Sequence, residues 1–248
     1  MNMTVYYDQL QETLLNCFKR VNTTDVVEKH QWSVPAGTWD ISVVRGEVLE
    51  KATASRVRLS TKNPLNGIDT RFDIFQVNIF PASPMVPLCL CNMEHRTGTE
   101  ETFNGYLDTA SLSPRTDEQQ ILQQKIKQVM QKHGADYETY RNKVAEIYMM
   151  PGWEKPLNDG IGVRLEFEEK QSDLFKEIAS TWFKEYFALL ERRQNDAVDT
   201  ALSAARNTAH IRLLEYYVVK DVSVQVAGKL GIPFDAVGLM AFPPSIRF

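Results

Sequence analysis

Trp39-Asp40-Ile41-Ser42-Val43-Val44-Arg45-Gly46 decides the fold. Trp39, Ile41, Val43 and Arg45 alternate with Asp40, Ser42 and Val44, the period-2 pattern of a strand. Phe72, Ile74, Val77 and Ile79 predict a second strand, Val86 to Met93 a third, and Tyr106 to Thr109 a short fourth. Gly46, Asn66-Gly67, Pro81, Pro84 and Gly98 punctuate them. Links this short favour antiparallel pairing, because parallel strands need long crossovers.

Outward from these strands the period becomes helical. Upstream, Val5, Leu10, Leu14, Leu15 and Phe18 predict a helix over 4–20, and 22–37 reads as a loop or short turn around Asn22, Thr23, Thr24, Pro35 and Gly37. Downstream, Ile121, Leu122, Ile126, Val129 and Met130 mark a helix that Gly134 ends. Tyr137, Tyr140, Val144 and Ile147 mark another, and Gly160 to Phe167 a returning strand. Residues 172–192 and 195–228 are long helical segments with a break, and the tail from Gly231 is apolar and rich in proline. The expected architecture is one α/β domain of the α+β type over 1–248: a large antiparallel β-sheet flanked on both faces by helices.

The chain has 248 residues and a formal net charge of −4. That charge argues against a general nucleic-acid binder, which needs surplus Lys and Arg to displace counterions from phosphates. The N-terminal residues carry no basic start before an apolar run, and no stretch approaches the ~18 apolar residues of a transmembrane helix. The three cysteines Cys17, Cys89 and Cys91 read as free thiols in a reducing compartment, so a soluble cytoplasmic protein is expected.

Generic motifs identify no reaction. Gly160-Ile161-Gly162 precedes a strand, not a helix, and is weak for dinucleotide binding. Cys89 and Cys91 share one strand face near His95, but small core residues explain that pair better than a metal site, which needs three or four convergent ligands. Glu166, Glu168 and Glu169 read as a solvated strand face. Arg56, Arg58, Arg71, Arg96, Arg164 and Arg247 are scattered through the sheet region and the tail; arginine suits carboxylates, but each alone is an ordinary surface residue.

Four segments taken in order resemble oxygen-dependent coproporphyrinogen III oxidase. They are Ile41-Ser42-Val43-Val44-Arg45-Gly46 with Glu50-Lys51-Ala52; Pro84-Met85-Val86-Pro87 with Asn92; His133-Gly134 with Asp136 and Tyr137; and Leu239-Met240-Ala241-Phe242-Pro243-Pro244-Ser245-Ile246-Arg247-Phe248. The resemblance implies a sheet covered by helices, a tetrapyrrole cleft beside the sheet, a homodimer, a substrate with several carboxylates, and no metal or cofactor. It also implies oxidative decarboxylation of two propionates with molecular oxygen, which stays an alternative although this chain departs at most of the positions that would carry it. The family histidine falls at Leu90, an arginine at Glu94, an aspartate at Ser111 and another arginine near Asp159. Asn92 and Asp221 survive, and the arginine after the latter becomes Val222. Exchanging a propionate-binding arginine for a carboxylate reverses the sign of the interaction.

The middle of the chain also resembles ferredoxin-dependent bilin reductases, through Gln76-Val77-Asn78-Ile79-Phe80-Pro81, Pro87-Leu88, Asn92 and Leu112-Ser113-Pro114-Arg115-Thr116-Asp117-Glu118-Gln119. That resemblance implies ferredoxin as electron donor. The family's proton-donating aspartate falls at Asn92 and its histidine near Gln76. Three expectations follow. The first is a divergent oxidoreductase of linear (bilin) or cyclic tetrapyrroles, with Asp221 as acid, Asn92 positioning the ring, Ser111 at the lost aspartate, and Arg45, Arg96 or His95 as replacement anchors. The second is a tetrapyrrole carrier or sensor without catalysis. The third is a scaffold serving another small acid or a protein partner. A slip of one or two residues in the alignment would bring Asp108 in for the lost aspartate.

Overall fold

The computed structural model describes residues 2–62, 67–112 and 116–246. Asn66, the Ser113-Pro114-Arg115 part of one motif and Arg247-Phe248 at the end of another lie outside them. Helix α1 (Met3–Asn22) buries Met3, Tyr6, Tyr7, Leu10, Leu14 and Phe18, spaced three and four apart so that they form one stripe. The Asn2 side chain accepts from the Thr4 N–H at its start, and Thr23 in the left-handed conformation ends it.

Seven strands follow: β1 (Glu28–Val34), β2 (Gly37–Val44), β3 (Leu49–Lys62), β4 (Asp69–Pro81), β5 (Leu88–Thr97), β6 (Glu101–Ala110) and β7 (Val163–Glu168). They lie in one sheet in sequence order, each antiparallel to the next. The expected antiparallel sheet is therefore present, but it is longer than the sequence pattern shows. β1 falls where a loop is expected. Its residues Glu-Lys-His-Gln-Trp-Ser-Val are only half-buried on one side and exposed on the other, as an edge strand allows. β3 is the longest strand and was not expected either. Its buried stretch is built from Ala52, Thr53, Ala54, Ser55, Arg56 and Val57, residues with little apolar signal.

The side chains of the sheet alternate between two cores. The first face holds Ala52, Ala54, Phe75, Val77, Ile79, Cys89, Cys91, Met93, Phe103 and Leu107 under α1, α2 (Asp117–Lys132) and α4 (Ser172–Arg193). The second holds Trp39, Ile41, Val43, Val57, Phe80, Leu88, Leu90 and Tyr106 under α5 (Thr200–Val219), α6 (Val222–Lys229) and α7 (Phe234–Ala241). Helix α3 (Tyr137–Val144) runs along β7 and contributes Tyr137 to the first core and Val144 to the second. The sheet is thus covered by helices on both faces, as expected. Gly134 follows α2 with a positive φ, as its sequence position suggests. The tail, expected only to be apolar, forms α7. None of the helices among the described residues is long and apolar enough to cross a membrane.

The two faces are locked by different chemistry. On the first, the buried Arg56 guanidinium is paired to both oxygens of Asp73, bonds Asp8 of α1, and stacks over the Tyr7 ring at 4.6 Å. On the second, Lys51 Nζ donates to the carbonyls of Gly238 and Phe242 at the end of α7, a favourable place for a cation. Its burial pulls its pKa down to about 7. Thr53 Oγ1 and Asn78 Nδ2 both donate to Met240 O, so α7 is fastened to the middle of β3 and β4.

Candidate functional site

Strand register places one polar row across the second face. Ser55 of β3 pairs with Gln76 of β4, Gln76 with Asn92 of β5, Asn92 with Tyr106 of β6, and Tyr106 with Arg164 of β7. The next row outward is Trp39, Val57, Ile74, Glu94, Asn104 and Glu166. The helices cover this face unevenly. Asn78, one row inward and bonded to α7, is fully buried, while Asn92, Ile74, Asn104 and Arg164 are half-buried and Glu166 is exposed. Gln76 and, in the outward row, Trp39, Val57 and Glu94 stay buried, so the cover thins only in places, and Asn92 lies at such a margin.

At that margin Asn92 Oδ1 is buried and has no hydrogen-bond partner among the described residues. Such an atom costs about 1–3 kcal/mol if nothing meets it. The backbone beside it is fixed by Gly105, whose φ of +120° and absent side chain let β6 close on β5; a Cβ there would lie 2.0 Å from Asn92 O. Two residues along β5, Glu94 accepts from Arg96 Nη2 at 2.7 Å, and Arg96 lies over the Phe72 ring. Arg96 Nε is buried without a partner among the described residues. Arg164 forms an ion pair with Glu166 at 3.4 Å.

Behind Asn92 runs a chain of hydroxyls. Tyr106 Oη and Tyr148 Oη are 2.7 Å apart, Tyr148 and Tyr217 3.3 Å, and Tyr217 donates to Asn78 Oδ1 at 3.3 Å. Burial holds the Tyr106 and Tyr148 phenols well above their ordinary pKa, and that of Tyr217 likewise, so all three stay protonated.

The residues singled out by sequence separate on this frame. Asn92 and Arg96 share the second face. His95 does not: three residues beyond Asn92 is an odd step, which puts it on the first face, stacked on Phe103 at 5.2 Å and bonded to Glu101 at 2.9 Å. Arg45 is exposed at the end of β2 and bonds Glu28, away from the row. Ser111 is spent on Asp159 Oδ2 at 2.7 Å and on Gln119. Asp221 accepts from Val224 N as the N-cap of α6; burial raises its pKa, and it is near enough to raise those of Tyr106 and Tyr217. Asp108, the residue that a slip in the alignment would bring in, is engaged in the turn into β7. Its two oxygens accept from the Thr109, Gly160, Ile161 and Gly162 N–H groups and from Asn158 Nδ2, which clamps the turn into β7. Cys89 and Cys91 lie 3.4 Å apart in the first core, with the Trp182 indole N–H on Cys89. No cluster of three or more His, Cys, Asp or Glu able to hold a metal occurs among the described residues.

Sequence reasoning missed Tyr106, Arg164 and Trp39 as companions of Asn92. They come from three other strands, and only the register brings them together. Two surface hollows lie off the row: one of about 550 Å³ between α1 and α4, and one of about 510 Å³ by Met149–Gly152 and Val219–Lys220, next to Asp221.

No family model and no curated protein matches the chain. The coproporphyrinogen-oxidase motifs thus remain a likeness of short segments. Among solved structures, the chain is similar in fold to phytochromobilin synthase from tomato, crystallised in complex with biliverdin. The TM-score is 0.60 at 12% identity, over 92% of this chain and 80% of that one. The likeness is one of fold.

Proposed function

We propose that this protein binds an open-chain tetrapyrrole on the second face of its sheet, against the row from Gln76 to Arg164. The observation that carries the reading is the buried Asn92 Oδ1 beside Gln76, which has no partner among the described residues. Pyrrole and lactam N–H groups are the donors such an oxygen lacks. Arg96 and Arg164 stand on the same face as partners for propionates. The fold that presents this face is one in which the tomato protein was crystallised with biliverdin.

The same row supports binding better than the proton transfer of a bilin reductase. Gln76 and Asn92 are both amides, which donate and accept hydrogen bonds but do not give up a proton. A second reading, a reductase, is favoured by one observation: Asp221 is a carboxyl with a raised pKa close to Tyr106. In that reading Asp221 supplies a proton and ferredoxin the electrons.

Absorption spectra of the purified protein with biliverdin, haem and coproporphyrin test both. A saturable shift with biliverdin that stays constant supports binding. A shift that then evolves on adding reduced ferredoxin supports the reductase, and Asp221→Asn should stop that evolution while sparing the initial shift. No shift with any of the three pigments overturns the proposal.

A further inference from the structure

The row next to Asn92 holds a second orphan of opposite character. Trp39 is only 6% exposed, and its indole Nε1–H is buried with no hydrogen-bond partner among the described residues. Trp39 lies on the same face as Asn92, through the register Trp39–Val57–Ile74–Glu94. Its direct cross-strand partner is Trp32, on which the His30 ring stacks at 5.8 Å and 15°. The β1–β2 ribbon thus sets a pair of aromatic rings, with a donor on one of them, at one edge of the second face.

Buried polar atoms are rarely left unpaired, because each forfeits its bonds to water. An orphan acceptor on β5 and an orphan donor on β2 point to a ligand that carries both complements. Three strand spacings of ~4.8 Å separate those strands, about 14 Å in all. An open-chain tetrapyrrole has N–H groups at its inner rings and a lactam carbonyl at each end; a cyclic one has no ring carbonyl. We propose that the Trp39 indole N–H donates to a terminal lactam oxygen, stacks that end ring beside Trp32, and so selects open-chain over cyclic pigments. This rests on the binding reading above and assigns to Trp39 a role in specificity, not in chemistry.

Propionates are a rival acceptor, so the ligands are chosen to separate the two. Biliverdin and its dimethyl ester are titrated into the wild-type protein and into Trp39→Phe; the ester keeps both lactams and has no carboxylate. The expected result is a loss of affinity of about tenfold for both pigments, the size expected for one buried hydrogen bond. A loss seen with biliverdin but not with the ester overturns the lactam assignment, and equal affinities overturn the role altogether. Because Trp39→Phe could perturb folding, the wild-type protein supplies an independent readout. Its ¹⁵N indole spectrum should show the Trp39 N–H resonance moving downfield when biliverdin binds; a resonance that stands still while pigment binds overturns the inference. Failure of the wild-type protein to bind either pigment sinks the underlying binding reading instead, which keeps the two failures distinct.

Discussion

Asp108→Asn is the substitution whose consequence can be worked furthest. In the native chain Asp108 Oδ1 takes three backbone N–H groups, and Oδ2 takes Gly160 N and Asn158 Nδ2. An asparagine has one oxygen, so the best placement keeps the three-donor side and turns its amide towards the other two. Asn158 cannot rotate to help, because its Nδ2 also donates to Val144 O and its Oδ1 accepts from Tyr148 N. The Gly160 N–H and the second hydrogen of Asn158 Nδ2 lose their acceptor, at roughly 1–3 kcal/mol for an unpaired buried group. Against this stands the removal of a buried charge. Burial, and then Asp159, raise the Asp108 pKa to about 6, against its ordinary 3.8. The folded protein therefore holds a proton between pH 3.8 and 6 that the unfolded chain has released. The native chain gains stability as pH falls through that window, and the variant does not. Between pH 7.5 and 4.5 the difference amounts to about 2 kcal/mol. Urea unfolding of both proteins at the two values should show a destabilised variant whose deficit grows by about that amount on acidification. A deficit that is constant with pH, or a variant as stable as the parent, refutes this account of the clamp.

Two further outcomes follow from buried groups. His210 is buried, its Nδ1 faces Ser245 O at 3.0 Å, and burial lowers its pKa to about 4. Its pKa is below that of an unfolded histidine, near 6.5, so the native chain should lose about 3 kcal/mol as pH falls from 6.5 to 4. His210→Gln should lack that loss in urea unfolding. Arg56→Met leaves Asp73 facing the buried site without its partner, and a fall of about 3–5 kcal/mol in unfolding free energy is expected; a change below 1 kcal/mol would show that α1 and the sheet are held by packing alone.

How far the sequence could be read depends on what each element buries. α1, α2 and α4 place large apolar residues at helical spacing; the predicted bounds of α1 and α4 are close to those found, and α2 ends just before Gly134 as expected. β2 and β4 show through Trp39, Ile41, Val43 and Ile79. β3 does not, because a strand between two others can be held by Ala52, Ala54 and a buried Arg56, where flanking strands and α1 supply the bulk. β1 does not, because at a sheet edge its inward residues Glu28, His30, Trp32 and Val34 need only be half-buried, and two of them are polar. For the site, Asn92 was visible only through family resemblance. Its parity already separates it from His95, since strand side chains repeat every second residue. Tyr106, Arg164 and Trp39 carry no local mark. Register relates them, and register is set by bulges and turns spread over more than a hundred residues of chain, such as the irregularity between Leu49 and Lys51.

In the proposed function Asn92 Oδ1 accepts a hydrogen bond from a tetrapyrrole N–H. The most direct test is the dissociation constant of biliverdin, by difference absorption, for the wild-type protein and for Asn92→Leu, which keeps the volume and removes the acceptor. An unmet donor at about 1–3 kcal/mol corresponds to a weakening of roughly 5- to 150-fold, with unchanged thermal stability or a slight gain. Saturable binding that Asn92→Leu leaves unaltered would contradict the account.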